Sequence, residues 1–230
     1  MEAPAARPAR RSIPPVSVQW LVYAMAVMLV LLHLVYTLAP PRQQFEAVFN
    51  FALMPERFWA PAGSPDVYPD HLSGLLTLLS SGLLHADFTH VLVNAIMLVW
   101  FGLSVARALG PGAASWGYWM LLFAGSIVAG SALYLALQDN TAAYLIGASG
   151  GTSGLIAAAL LLGDNGGKRA LWSPGFLVPT AIFAVMNVLL VLAAPYAGML
   201  ISWEAHAGGY VFGALLMAVL PLRGYGWTRS

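Results

Sequence analysis

The sequence predicts an all-α membrane protein, a bundle of six transmembrane helices. Three observations predict it. The chain is 60% hydrophobic and only 8% charged, with a mean hydropathy of +0.76, whereas a soluble domain is about a quarter charged. Apolar runs near the 20 or so residues that cross a bilayer core as helix recur along it. Its basic residues gather on alternate connections between those runs, as the positive-inside rule requires.

Residues 1–15 form an N-terminal tail that carries Arg7, Arg10 and Arg11. The tail looks like the charged start of a signal peptide. Val16 to Leu38 is too long for a signal peptide's apolar region, however, and no small-residue cleavage site follows, so the run is read as a retained first span at 17–38. Residues 40–84 are a long first loop that mixes Pro, charges and the apolar stretch Leu72 to Leu84. That stretch is too short to cross and is read as interfacial or partly submerged. Further spans fall at 89–107, 114–137, 148–163, 175–194 and 205–222, and residues 223–230 form a C-terminal tail. The membrane domain is thus 16–222. The fourth span is short and headed by glycine, which predicts a helix that begins inside the membrane. Trp20, Tyr118, Trp172 and Trp203 near span ends fit an aromatic belt.

With six spans and the N-terminus inside, Arg7, Arg10, Arg11, Arg107, Lys168, Arg169, Arg223 and Arg229 are cytoplasmic; only Arg42 and Arg57, in the first loop, are outside. This bias sets both termini inside. Spans two, four and six then enter from outside. The expected location is a multi-pass position in a bacterial inner (plasma) membrane. A net charge of +1 argues against nucleic acid as a partner, and the absence of cysteine excludes disulfides, thiolate metal sites and a cysteine nucleophile. The five histidines lack a zinc-ligand pattern, so no metal or organic cofactor is implied.

Polar groups cluster at the mouths of the three spans that enter from outside. Span four opens with Gly147-Ala148-Ser149-Gly150, span six with His206-Ala207-Gly208-Gly209 and span two with His85-Ala86-Asp87-Phe88-Thr89-His90, followed by Asn94. Polar side chains are unfavourable in the bilayer interior, so each is a functional-site hypothesis. A hydroxyl needs a neighbouring base to become a nucleophile, and a neutral imidazole is such a base. His90 and Asn94 are four apart and share a helix face. The unpaired N–H groups at the start of span four can serve a developing oxyanion, and Asn and His side chains can add donors. Gly150, Gly154 and Ala158 on span four, and Gly209 and Gly213 on span six, make small-residue stripes that permit close helix approach.

His85-x4-His90-x3-Asn94, Gly147-Ala148-Ser149-Gly150-x3-Gly154 and His206-x2-Gly209-x3-Gly213 together resemble the rhomboid intramembrane serine proteases, over roughly residues 70–220. The resemblance implies Ser149 as nucleophile and His206 as base, a dyad without Asp. It implies an oxyanion hole of Asn94, His90 and the Ser149 backbone N–H. Membrane proteins cleaved in or near a spanning helix, within the lipid bilayer, would be its substrates. Two features depart from the pattern. Gly151-Thr152-Ser153-Gly154 is an overlapping second match, so Ser153 competes as nucleophile; Ser149 is preferred because only from it does Gly154 fall where the second Gly belongs. The aromatic that many members carry four residues after the nucleophile is here Ser153, so His206 must be held otherwise. The Trp-Arg pair of some members' first loop is absent.

His33 is read as structural, Asp87 as a helix N-cap, and His85 stays open between structure and function. Glu204 stands two residues from His206, on a different side of the helix, and is read as interfacial. Ala194 to Ser202, with Pro195 and Gly198, is a candidate flexible cap over the site. The alternatives to an endopeptidase are a rhomboid-like non-catalytic protein that binds membrane clients and a small transporter. The first usually lacks the Ser or the His. The second would place ionisable residues across a path, and the spans carry almost no carboxylates.

Overall fold

The computed structural model describes residues 17–61, 63–64, 67–138, 143–163, 167–197 and 201–222. The two tails, with five of the basic residues used for topology, lie outside them, as do 198–200 of the candidate cap. Helix α1 is Val18–Leu38, started by Ser17, whose Oγ accepts from the Gln19 N–H at 3.2 Å. Three short helices follow: α2 (Pro41–Phe51), α3 (Pro55–Phe58) and α4 (His71–Ser80), the last continuing as a 3-10 turn over Ser81–Leu83. The first two begin with proline, whose missing N–H is no loss at a helix start. α5 is Phe88–Leu109, capped by Asp87, whose Oδ1 accepts from the His90 N–H at 2.8 Å. Gly110, at φ +75°, ends it. The chain continues through α6 (Ala113–Leu137), α7 (Ser149–Leu160), α8 (Pro174–Ala193) and α9 (Trp203–Val219).

Four described helices are long and apolar enough to cross a membrane: α1, α5, α6 and α8 with the turn that extends it to Tyr196. The all-α membrane class stands. α7 and α9 are shorter than the runs 148–163 and 205–222 expected from sequence. At 12 residues and about 1.5 Å per residue, α7 is about 18 Å long against a hydrocarbon core of about 30 Å. It lies among other helices, packed on α9, α6 and α5, while α1 packs on α5 and α8 makes only narrow contact with α9 and α7. Two-thirds of α7 is buried and none of it is exposed; of α8, only Phe176 is buried. Val178, Ile182, Val185, Leu189 and Leu192 of α8 face outward, as a lipid-facing helix requires.

The described residues of the first loop pack on one another. Arg57 stacks its guanidinium over the Phe49 and Tyr68 rings, 3.6 and 4.2 Å from their centroids. The Tyr68 hydroxyl accepts from the Met54 N–H at 3.0 Å and donates to the Ala52 carbonyl at 2.9 Å. α4 turns Leu72, Leu75, Leu76 and Leu79 outward, the apolar face of the expected submerged stretch. At the other end of the bundle, Lys168 Nζ donates to the Ala218 carbonyl at 2.8 Å and Arg169 Nη1 to the Leu160 carbonyl at 2.9 Å. Both cations meet carbonyls left open at helix C-termini.

The α7–α9 crossing is backbone on backbone. A Cβ on Gly209 would overlap the Gly150 carbonyl oxygen, and one on Gly213 would overlap that of Gly154. Neither partner atom belongs to a side chain that could swing away. Gly213→Ala is expected to lose about 1–3 kcal/mol of stability from overpacking. Gly117→Ala, on open surface of α6, is expected to be neutral or to gain up to about 1 kcal/mol from helix propensity. Thermal unfolding in detergent measures both.

Candidate active site

The segment that delivers Ser149 is held from the first loop. Leu145 and Leu53 exchange backbone hydrogen bonds of 2.8 and 3.2 Å. The Gly147 N–H donates to the Ser81 carbonyl at 2.9 Å, and the Ala148 N–H donates to His85 Nε2 at 3.3 Å. His85, open from sequence, is therefore a buried bracket for this turn. Gly147 has φ +120°, and a Cβ there would lie 2.7 Å from His90 Nε2. The residue must be glycine on both counts: backbone hand and room for the imidazole. Ser149 is then the first residue of α7, half-buried, while Ser153 is one turn deeper and only 4% exposed.

The glycine crossing fixes the register of α7 against α9. Gly150 lies beside Ala205 and Gly209, and Gly154 beside Gly209 and Gly213. Ser149 and His206 thus stand at the same end of two helices in backbone contact. Among the described residues, no hydrogen bond joins them. The His206 imidazole is paired elsewhere: Nδ1 lies 2.5 Å from Asn187 Oδ1 on α8.

On the α5 side, Asn94 is 3% exposed. Its Nδ2 donates to the His90 carbonyl at 3.0 Å and its Oδ1 accepts from Thr152 Oγ1 at 3.3 Å. The Thr152 hydroxyl also lies 3.1 Å from the Ser149 carbonyl, so Thr152 links α5 to the first turn of α7. An amide nitrogen has two hydrogens, and one bond to His90 leaves one for another acceptor. The His90 ring lies against Gly147, 5.0 Å from the His85 ring. The structure thus gathers Ser149, Asn94, His90 and Gly147 around one helix mouth, with His206 next to it on α9.

A rhomboid-domain family model matches residues 72–223, more than half of the chain. The chain belongs to the rhomboid family. It is similar to RHOMBOID-like protein 4 of Arabidopsis thaliana, 30% identical over 157 residues that cover 66% of this chain and 36% of the relative. It is also similar to RHOMBOID-like protein 12, mitochondrial, of Arabidopsis thaliana, 28% identical over 159 residues that cover 63% of this chain and 46% of the relative. The matched part thus spans less than half the length of either relative. Both are plant proteins and lend nothing to a bacterial membrane; membership of the rhomboid family and the apolar helices make this an integral membrane protein.

Within that rhomboid domain, three site-adjacent residues escape sequence reading. Asn187 had a signal, a lone Asn in the apolar run of α8, where an unpaired amide is unfavourable. Thr152 was hidden inside the second Gly-x-Ser-Gly match. Gln138 mattered only through Glu204, which is buried in the protein: its Oε1 accepts from Gln138 Nε2 at 2.7 Å and its Oε2 from Ser202 Oγ at 2.9 Å. The carboxylate braces the start of α9. His33 is buried against Phe88, 5.3 Å between rings, and Asp87 is the N-cap expected.

Proposed function

We propose that this rhomboid-family protein is an intramembrane serine endopeptidase that cleaves membrane proteins in or near a spanning helix. The observation that supports the reading is the glycine-on-glycine crossing of α7 and α9, which brings the start of α7, where the half-buried Ser149 lies, against the start of α9, which carries His206. Ser149 is the nucleophile and His206 the base. The imidazole takes the hydroxyl proton as Oγ attacks the scissile carbonyl carbon, and the carbonyl π pair moves onto oxygen. Collapse of that oxyanion expels the amine, which receives the proton from His206. Water then repeats the sequence on the acyl-enzyme and regenerates Ser149. The Ser149 N–H at the open end of α7, Asn94 and His90 are the donors for the oxyanion. Gly147, Gly150, Gly154, Gly209 and Gly213 serve by letting backbone approach backbone and imidazole.

The test is labelling of detergent-solubilised protein with a fluorophosphonate probe, mapped by peptide mass spectrometry. Modification at Ser149 is expected. An unmodified Ser149 in folded protein would replace this reading by the non-catalytic, client-binding one.

Six spans with both termini cytoplasmic complete the proposal, α7 and α9 being the fourth and sixth. Eight of ten basic residues fall inside in that arrangement, and the site opens to the outside. The chain has no cysteine, so single substitutions report sidedness cleanly. Ser64→Cys in the first loop is expected to react with an impermeant thiol reagent in intact cells, and Ala170→Cys, between α7 and α8, only after permeabilisation. The reverse pattern would invert the topology.

A further inference from the structure

His206 has no aromatic side chain one turn after Ser149 to rest on, because that position is Ser153. What holds it comes from α8. Asn187 Oδ1 lies 2.5 Å from His206 Nδ1. The amide cannot turn round, because Asn187 Nδ2 donates to the Phe183 carbonyl at 3.1 Å, and a flip would set oxygen against oxygen. An amide oxygen only accepts. The imidazole must therefore carry its proton on Nδ1, which leaves Nε2 with its lone pair. The contact is not a chance touch of two loosely related helices. One turn along α9, Tyr210 stacks on Phe183 with 4.3 Å between centroids and shares a 2.7 Å hydrogen bond with Thr180. Residues 180, 183 and 187 of α8 thus meet 206 and 210 of α9 along one seam.

We infer that Asn187 is the positioning residue of this site, fixing both the tautomer and the ring orientation of His206 so that Nε2 faces the nucleophile. The inference rests on the reading of His206 as the base. It converts a dyad into a Ser–His–Asn arrangement in which the third group is neutral, the logic by which Asn serves the Cys–His–Asn proteases. Asn187 touches no reacting atom. It acts by keeping the imidazole in the tautomer whose Nε2 is free to accept a proton.

Two variants test it. Asn187→Leu keeps the branched shape on a lipid-facing helix but offers no acceptor. Asn187→Asp keeps an acceptor oxygen. For Asn187→Leu, kcat is expected to fall on the order of 10–100-fold, the range for removing the partner that orients a metal-bound histidine, with KM within about threefold. The rate of fluorophosphonate labelling at Ser149 is expected to fall in parallel, because the small probe reports nucleophile activation and not substrate entry. For Asn187→Asp, which keeps the acceptor for His206 but loses the donor to the Phe183 carbonyl, activity well above that of Asn187→Leu is expected, with the acid limb of the pH–rate profile moved upward, since a carboxylate favours the imidazolium. Three results would overturn the inference: a wild-type kcat in Asn187→Leu, a fall in cleavage without a fall in labelling rate, or a folded Asn187→Asp as inactive as Asn187→Leu. If Ser149→Ala and His206→Ala themselves left cleavage intact, the endopeptidase reading would fall, and this inference with it. If those two variants were dead and Asn187→Leu fully active, only the role of Asn187 would be wrong.

Discussion

Ser149→Ala is expected to bring cleavage of a single-span substrate to background, and His206→Ala to match it. The two losses should not add in the double variant, because nucleophile and base act as one unit. A fall on the order of 10⁴-fold or more is the scale of removing such a group, the remainder being binding and oxyanion stabilisation. Ser149 is half-buried at a helix start, so its truncation leaves the core untouched and the unfolding temperature should hold. Ser153→Ala is the informative contrast. That hydroxyl is buried a full turn deeper, where a scissile bond could reach it only by displacing the start of α7. Substantial activity should survive. Loss in Ser153→Ala with survival in Ser149→Ala would exchange the two serines and shift the whole site one turn inward. The pair of α-helix mouths would then no longer be the place of reaction.

Much of the fold was legible because its signals are local. Hydropathy and length mark α1, α5, α6 and α8 as spans without reference to any neighbour. Asp87 reads as a cap because capping is a bond between a residue and the next turn. The glycines were legible as stripes, since a four-residue period is a property of one helix. The lengths of α7 and α9 were not, because the residues that end them pack on other helices, and the apolar run carries on past the helical hydrogen bonds. The roles of Asn187, Thr152 and Gln138 were illegible for a related reason. Each is defined by a partner 19, 58 or 66 positions away, and no periodicity of one segment encodes such a distance. Glu204 shows the same limit: its place near an expected membrane surface says nothing of its partners, two donors brought in by α6 and the start of α9.

Asn94→Ala is expected to lower kcat by roughly 10²–10³, the range for loss of one oxyanion-hole donor, with KM changed by no more than a few-fold. The competing reading is that Asn94 is interhelical glue, and the structure gives that reading a definite bond, from Thr152 Oγ1 to Asn94 Oδ1. The two roles use different atoms of one amide. Glue needs the oxygen; the oxyanion needs the second N–H, the one not donated to the His90 carbonyl. Two further variants separate them. Thr152→Val removes the α5–α7 bond and leaves Asn94 its hydrogens; it is expected to lose about 1 kcal/mol of stability and little activity. Asn94→Asp keeps an acceptor for Thr152 but gives up the donors and sets an oxygen against the His90 carbonyl; it should stay as slow as Asn94→Ala and unfold at a lower temperature than wild type. A Thr152→Val protein as inactive as Asn94→Ala would assign Asn94 to packing and leave the oxyanion to the Ser149 backbone N–H and His90.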